Sequence, residues 1–251
     1  MCDCAYTRGI GWKGWRALPD AHLRPGSSFG HGEWVDLSHP LDSAMPRVPF
    51  FPEARFERVM SIPDRQINVT RMDMVVHTGT HVDSPRHFFD DGPAFEEIPF
   101  ERLSGSGLVF PVRVAPGQDI EPEHLAGAES SLLRGDILIL DTGSHRCVGT
   151  AAYDDHPSLT PRSAQWVLDH GIKLLAVDTP TPDAAVKRRG TDFDYPVHRL
   201  LLANGVLIAE HLTNLESLSG LRVEVVCSAL NIAGSDGAPA RILARPLADR
   251  A

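Results

Sequence analysis

Short apolar runs recur along the chain and are set off by Gly, Pro, Asn and Asp, as buried strands joined by turns require. Ile137-Leu138-Ile139-Leu140, Leu174-Leu175-Ala176-Val177 and Val206-Leu207-Ile208-Ala209 are the clearest of them. Strands are expected over residues 34–41, 54–62, 67–76, 107–114, 136–141, 173–178, 206–210, 221–230 and 241–246. Helical signals are fewer. Residues 121–133 carry one, and Thr160-Pro161 through Gly171 carry a sharper one, with an N-cap, a first-turn proline and a terminal glycine. A third short helix is expected over 196–203, stopped near Gly205 and followed by a strand that ends at Glu210. The pattern predicts a mixed α/β (α+β) domain with a mostly β centre and a few flanking helices, not a regular doubly wound sheet. No internal repeat is present.

Size and charge narrow this picture. With 251 residues, 42% of them hydrophobic, the chain can bury one substantial core. One domain is expected over 34–251, preceded by an extension over 1–33 that lacks a clear period. Trp12 and Trp15 in that extension suit either a subunit interface or an anchor on the domain itself. A net charge of −9 argues against a nucleic-acid binder. No run approaches a membrane span, and Met1-Cys2-Asp3-Cys4-Ala5-Tyr6 lacks a secretory pattern, so a soluble cytoplasmic protein is expected. Cysteines at 2, 4, 147 and 227 are too scattered for a disulfide framework, and the Cys2-x-Cys4 pair has no matching partner that would make a metal site.

Residues 77–87 read His-Thr-Gly-Thr-His-Val-Asp-Ser-Pro-Arg-His, which places three histidines and one carboxylate in eleven positions. If the segment is extended, the even offsets from His77 to His81, Asp83 and His87 put all four on one face. The apolar run just before it is expected to be a strand that delivers His77 to a sheet edge, with Gly79 allowing an unusual φ and Pro85 ending the pairing. Two imidazoles and a carboxylate suit Zn²⁺ or another divalent transition ion and leave a coordination position for water. Unpartnered, so many ionisable groups on one face would be costly, which favours a metal or catalytic site over a polar cluster.

The run H-x-G-T-H-x-D-x-P-x-H resembles the signature of the metal-dependent cyclase-type hydrolase family, which includes bacterial kynurenine formamidases and isatin hydrolases. Similarity extends from Trp34-Val35-Asp36-Leu37-Ser38 to Leu243. The resemblance implies a compact swivelling β/β/α fold and a homodimer or homotetramer. It makes His77, His81 and Asp83 ligands of a first metal, with Asp83 bridging to a second ion held by His198 and Glu210, and it makes His87 the proton donor and acceptor. The metal is expected to be Zn²⁺, with Mn²⁺ the alternative, one or two per chain. One departure stands out: the formamidases carry a substrate-contacting tryptophan in a Trp-Pro-Gly stretch, where this chain has Arg47-Val48-Pro49-Phe50-Phe51-Pro52-Glu53. Phe50 and Phe51 are either aromatic contacts for an aryl substrate or core residues.

Such an ion lowers the pKa of its bound water toward about 7 and so supplies a hydroxide for attack on a carbonyl. No G-x-S-x-G elbow competes for the nucleophile's role. The expected function is hydrolysis of a small amide, formamide or lactam, arylformamidase-like, with an isatin hydrolase-like or lactone ring opener as the alternative. From another class, a non-catalytic metal-binding module is the rival, and it would need a coordinatively closed site. The expected partner is a small-molecule substrate, with no nucleic acid and no membrane. Asp141-Thr142-Gly143 and Asp178-Thr179-Pro180 read as strand-end turn caps rather than ligands, and His145 and His156 as residues of the pocket mouth.

Overall fold

Twelve strands and five short helices lie within residues 34–247, which the computed structural model describes. The expected extension over 1–33, with Cys2, Cys4, Trp12 and Trp15, falls outside the described residues. In chain order the elements are β1 (Val35–Asp36), β2 (Arg55–Met60), α1 (Ile62–Arg65), β3 (Val69–Asp73), β4 (His81–Asp83), α2 (Phe100–Leu103), β5 (Ser104–Pro111), β6 (Asp119–Ile120), α3 (Pro122–Leu125), β7 (Ile137–Asp141), β8 (Ser158–Leu159), α4 (Pro161–Asp169), β9 (Leu174–Val177), α5 (Pro196–Ala203), β10 (Leu207–Glu210), β11 (Arg222–Ala229) and β12 (Gly237–Pro246).

The main sheet has eight strands in the order β1-β12-β11-β5-β7-β9-β10-β4, and β4 pairs back onto β12. All but β1 therefore form a closed ring. Strands β5, β7, β9 and β10 are mutually parallel, while β4, β11 and β12 run antiparallel to their neighbours. Alternation along each strand sorts the core in two. Ile137, Ile139, Ala176, Ala209, Val82 and Val225 fill the interior of the ring. Leu138, Leu140, Leu175 and Ile208 point outward, against Ala164 and Val167 of α4 and Val197, Leu201 and Leu202 of α5. Burial on both faces is why these strands read as unbroken apolar runs.

Helix α4 begins as its sequence dictates: the Thr160 side chain accepts from Ser163 N, and Pro161 occupies the first turn. Gly171, with φ +69°, ends the segment. Helix α5 occupies the residues expected for it.

Other expectations need correction. The strand expected over 34–41 holds only two residues, β1, because its partner β12 offers pairing only at Leu243 and Ala244 there. The strand expected over 67–76 stops at Asp73 and pairs with β2 in a separate exposed hairpin, so it does not deliver His77 to a sheet edge. The helix expected over 121–133 is a single α-turn, α3, followed by a 3₁₀ turn over Ala126–Ala128. Strand β5 starts earlier than expected because β11 pairs with Ser104, Gly105 and Ser106, residues with little strand preference of their own. Among the described residues no helix is long and apolar enough to cross a membrane.

Candidate metal centre

Four elements bring the ligand candidates together on the outer face of the ring. Val82 is part of the interior core, so its neighbours His81 and Asp83 face outward from β4. Ala209 likewise faces in and Glu210 out, and the register sets Glu210 directly opposite His81. Helix α5, packed on the same outer face, contributes His198. His77 arrives from the loop before β4, turned by Gly79 at φ +63°. The one-sided convergence expected for residues 77–87 is real, but its cause is different: only His81–Asp83 is strand, and His87 sits on a 3₁₀ turn over Pro85–His87.

All three imidazoles are held by one nitrogen and face the carboxylates with the other. His81 Nδ1 donates to the Gly79 carbonyl at 2.7 Å, His198 Nδ1 to Asp183 at 2.5 Å, and His77 Nε2 to Asp236 at 2.8 Å. On the inner side, His77 Nδ1 lies 2.7 Å from Asp83 Oδ1. His81 Nε2 is 3.3 Å from both Asp83 Oδ1 and Glu210 Oε2. His198 Nε2 is 3.4 Å from Asp83 Oδ2 and 3.2 Å from Glu210 Oε1. Fixing one ring nitrogen on an acceptor orients the other as a metal ligand.

The unpaired atoms test the fit. Among the described residues, His81 Nε2, Asp83 Oδ2 and Glu210 Oε1 are buried without a hydrogen-bond partner, although buried polar atoms are normally satisfied. Separations of 3.2–3.4 Å among His81, Asp83, His198 and Glu210 suit donors gathered about divalent ions at about 2.0–2.2 Å each. Two clusters, His77–Asp83–His87 and His81–Asp83–Glu210, each fall within 4.8 Å and share Asp83. The residues present suit a divalent ion.

Electrostatics point the same way. Burial alone would lower the pKa values of His81 and His198, yet the carboxylates of Asp83 and Glu210 close to both, with Asp183 bonded to His198, raise them, His81 to about 10. Burial would raise Asp83 and Glu210, yet the surrounding imidazoles hold Asp83 well below the usual carboxylate range and Glu210 down to about 2. Two buried carboxylates thus demand positive charge, supplied either by protons or by metal.

A cavity of about 750 Å³ opens beside the cluster, and His77, His87, His198 and Glu210 lie on its wall. Phe50 and Phe51 both line it, in edge-to-face contact with centroids 5.1 Å apart, and the Phe51 ring is 6.4 Å from His77. They are therefore wall residues, not core. His156 lines the cavity as well, whereas His145 does not: it turns into a separate buried cluster with Asp141 and Asp178.

Three residues escape a reading of the sequence. Asp183 accepts from His198 Nδ1 and from the backbone N–H groups of Val197 and His198, capping α5 from fifteen residues upstream. Asp236 accepts from His77 Nε2 and, at 3.2 Å, from His87 Nδ1. His211, at φ +57° directly after Glu210, is hydrogen-bonded to the Tyr153 hydroxyl at 2.7 Å, and burial lowers its pKa to about 3. Only Asp183 left a trace, as the acid that closes the strand-end stretch starting at Asp178-Thr179-Pro180.

Fold and donor set define a closed-ring α/β protein with a candidate divalent-metal centre. The chain belongs to the putative cyclase family, whose pattern it matches over residues 35–184. It is 29% identical over 219 residues to a kynurenine formamidase of Bacillus cereus, an alignment covering 86% of this chain and 98% of that one. Among solved structures it resembles isatin hydrolase A of Labrenzia aggregata, bound to benzyl benzoate, with a TM-score of 0.76, 25% identity and coverage of 86% and 94%. It also resembles a potential metal-dependent hydrolase with cyclase activity, with a TM-score of 0.69, 25% identity and coverage of 87% and 100%.

Proposed function

We propose that the protein is a metal-dependent hydrolase that cleaves the C–N bond of a small aryl formamide or cyclic amide. The observation that carries this reading is the set of orphaned, buried donor atoms of His81, Asp83 and Glu210 beside a cavity large enough for such a substrate. When bound, a divalent ion polarises a carbonyl and acidifies water. His77, His81 and Asp83 would hold the first ion, and Asp83, His198 and Glu210 a second. Zn²⁺ suits this imidazole and carboxylate set best, with Mn²⁺ the alternative.

The chain's own groups account for the rest of the reaction. Asp236 accepts from His87 Nδ1, which fixes the tautomer and leaves Nε2 as the basic nitrogen. His87 then takes a proton from water as its oxygen bonds to the carbonyl carbon, and returns it to the nitrogen as the C–N bond breaks. Phe50, Phe51 and Phe88 offer apolar faces to an aryl ring. Of the cations on the cavity wall, Arg47 is paired with Glu53 and Lys187 with Asp155, whereas Arg189 stacks on Phe193 and Tyr195. Arg189 is the cation best placed to receive a carboxylate or carbonyl of the substrate.

Ring opening of a lactam is the second reading, favoured by the phenylalanines that stand where formamidases have an indole. A panel of N-formylkynurenine, isatin and simple lactones, assayed alongside metal content before and after chelation, separates the two. Turnover of an amide or lactam that chelation abolishes and metal restores is expected. A metal-loaded protein that leaves the whole panel intact would overturn the assignment.

A further inference from the structure

We propose that Asp141, His145 and Asp178 form a second cation site, outside the cavity, that takes a divalent transition ion and ties residues 142–156 to the ring. Asp141 ends β7 and Asp178 follows β9, and these strands are adjacent and parallel, so the two carboxylates emerge side by side. His145 comes from the 3₁₀ turn over Ser144–Cys147 that follows Gly143, whose φ of +81° folds the chain back over both acids. One ligand atom from each residue falls within 4.8 Å of the others.

The second observation is the state of those atoms. Asp141 is 0% and His145 6% exposed, and Asp141 Oδ1 and His145 Nε2 are buried with no hydrogen-bond partner among the described residues. They face each other at 3.8 Å, too far for a hydrogen bond and in keeping with two ligands about 2.0–2.2 Å from a common ion. The remaining contacts fix the carboxylates from outside. Ser219 donates to Asp141 Oδ2 at 2.6 Å, and Arg113 approaches that same oxygen at 3.6 Å. Thr142 donates to Asp178 Oδ1 through both its backbone N–H and its hydroxyl, and His145 N donates to Asp178 Oδ2. Burial holds the Asp178 carboxyl above its usual range in spite of these donors. At the rim, Glu216 Oε1 lies 3.6 Å from His145 Nε2, close enough to complete the coordination, and it also accepts from Arg146 Nε at 2.9 Å.

The consequence reaches the cavity. The pinned segment carries Ala151, Asp154 and His156 to the cavity wall, and its Tyr153 bonds His211 beside the ligand Glu210. Asp141, His145 and Asp178 are not among the residues that line that cavity, which suits an ion that organises structure rather than one that meets substrate.

The test is metal content after equilibrium dialysis of the full chain against Zn²⁺ or Mn²⁺, comparing the unaltered protein, His145→Gln, and His81→Ala/Asp83→Ala, with thermal unfolding of each. The His81→Ala/Asp83→Ala protein is expected to keep about one ion per chain and a metal-dependent rise in Tm. His145→Gln is expected to lose about one ion and that rise while keeping the metal of the cavity centre. A metal-free His81→Ala/Asp83→Ala protein, or a His145→Gln protein with undiminished metal, would overturn the proposal. Should the double variant not fold, the comparison of His145→Gln with the unaltered chain decides by the same count. The outcome is independent of whether any substrate is turned over.

Discussion

Two buried clusters of acids and imidazoles sit at strand ends of this molecule, and they are built differently. At the cavity centre, each of three imidazoles is locked through one nitrogen by its own acceptor, Gly79, Asp183 or Asp236, and the centre opens onto a space of about 750 Å³. In the Asp141–His145–Asp178 cluster a single imidazole faces two acids, and none of the three lines that space. Preorganised orientation with access is what chemistry requires, whereas closure is what a structural tie requires. The contrast fits the proposals of turnover at the first cluster and loop placement at the second.

The most severe way to break the contrast is Asp83→Ala, which removes the carboxylate common to both halves of the cavity centre. Its metal should be lost and turnover should fall on the order of 10³-fold or more, measured by elemental analysis and initial rates. The Asp141 cluster should keep its ion. Removing His87 separates binding from chemistry: His87→Ala should retain metal while kcat drops roughly 10²- to 10⁴-fold. Metal loss in that variant would instead make His87 a ligand, an arrangement its distance to Asp83 also permits.

Asp183→Asn weakens the acceptor that orients His198 without touching the cavity wall. Metal affinity should fall roughly 10- to 100-fold, read by competition with a chelator. pH offers a milder probe. With metal stripped, His81 has its pKa raised from 6.5 to about 10, so its stabilising contribution is complete below pH 6.5 and disappears as pH climbs to about 10. The chelated protein should accordingly melt at lower temperature at pH 9.5 than at pH 6. Loaded protein should show the opposite bias on acidification, because protons compete with the ion for the imidazoles. Smallest of all, Tyr153→Phe deletes one hydrogen bond to His211 and should cost about 1 kcal/mol, visible in thermal unfolding.

The donor run and most strands were legible because their causes are local. The run of donors at 77–87, the capped start of α4 and the glycine stop after α5 are written in adjacent residues. What stayed hidden depends on pairing at long range. Strand β4 is three residues long and exists because β10 and β12 flank it on either side. Asp236 meets His77 across 159 positions of sequence, a proximity no spacing rule encodes. The helix expected over 121–133 gives way after Leu125 to a 3₁₀ turn over Ala126–Ala128 that contains Gly127, a poor helix former. Tertiary pairing overrode propensity in the glycine- and serine-rich start of β5.

The hand-over of β12 from β4 to β1 and β11 has a consequence for how such a molecule can change through evolution. The bend that starts β12 also supplies Asp236, and Gly237 passes so near His77 that an added Cβ would lie 2.7 Å from its ring. A single inserted residue in that bend would misalign the seam and the imidazole together, so drift there is penalised twice. The segment from Arg47 to Phe51 forms no part of the seam but lines the cavity. Diversification of what the pocket accepts is thereby channelled to that rim, leaving the joint that shapes the ligand cage nearly immune to tinkering.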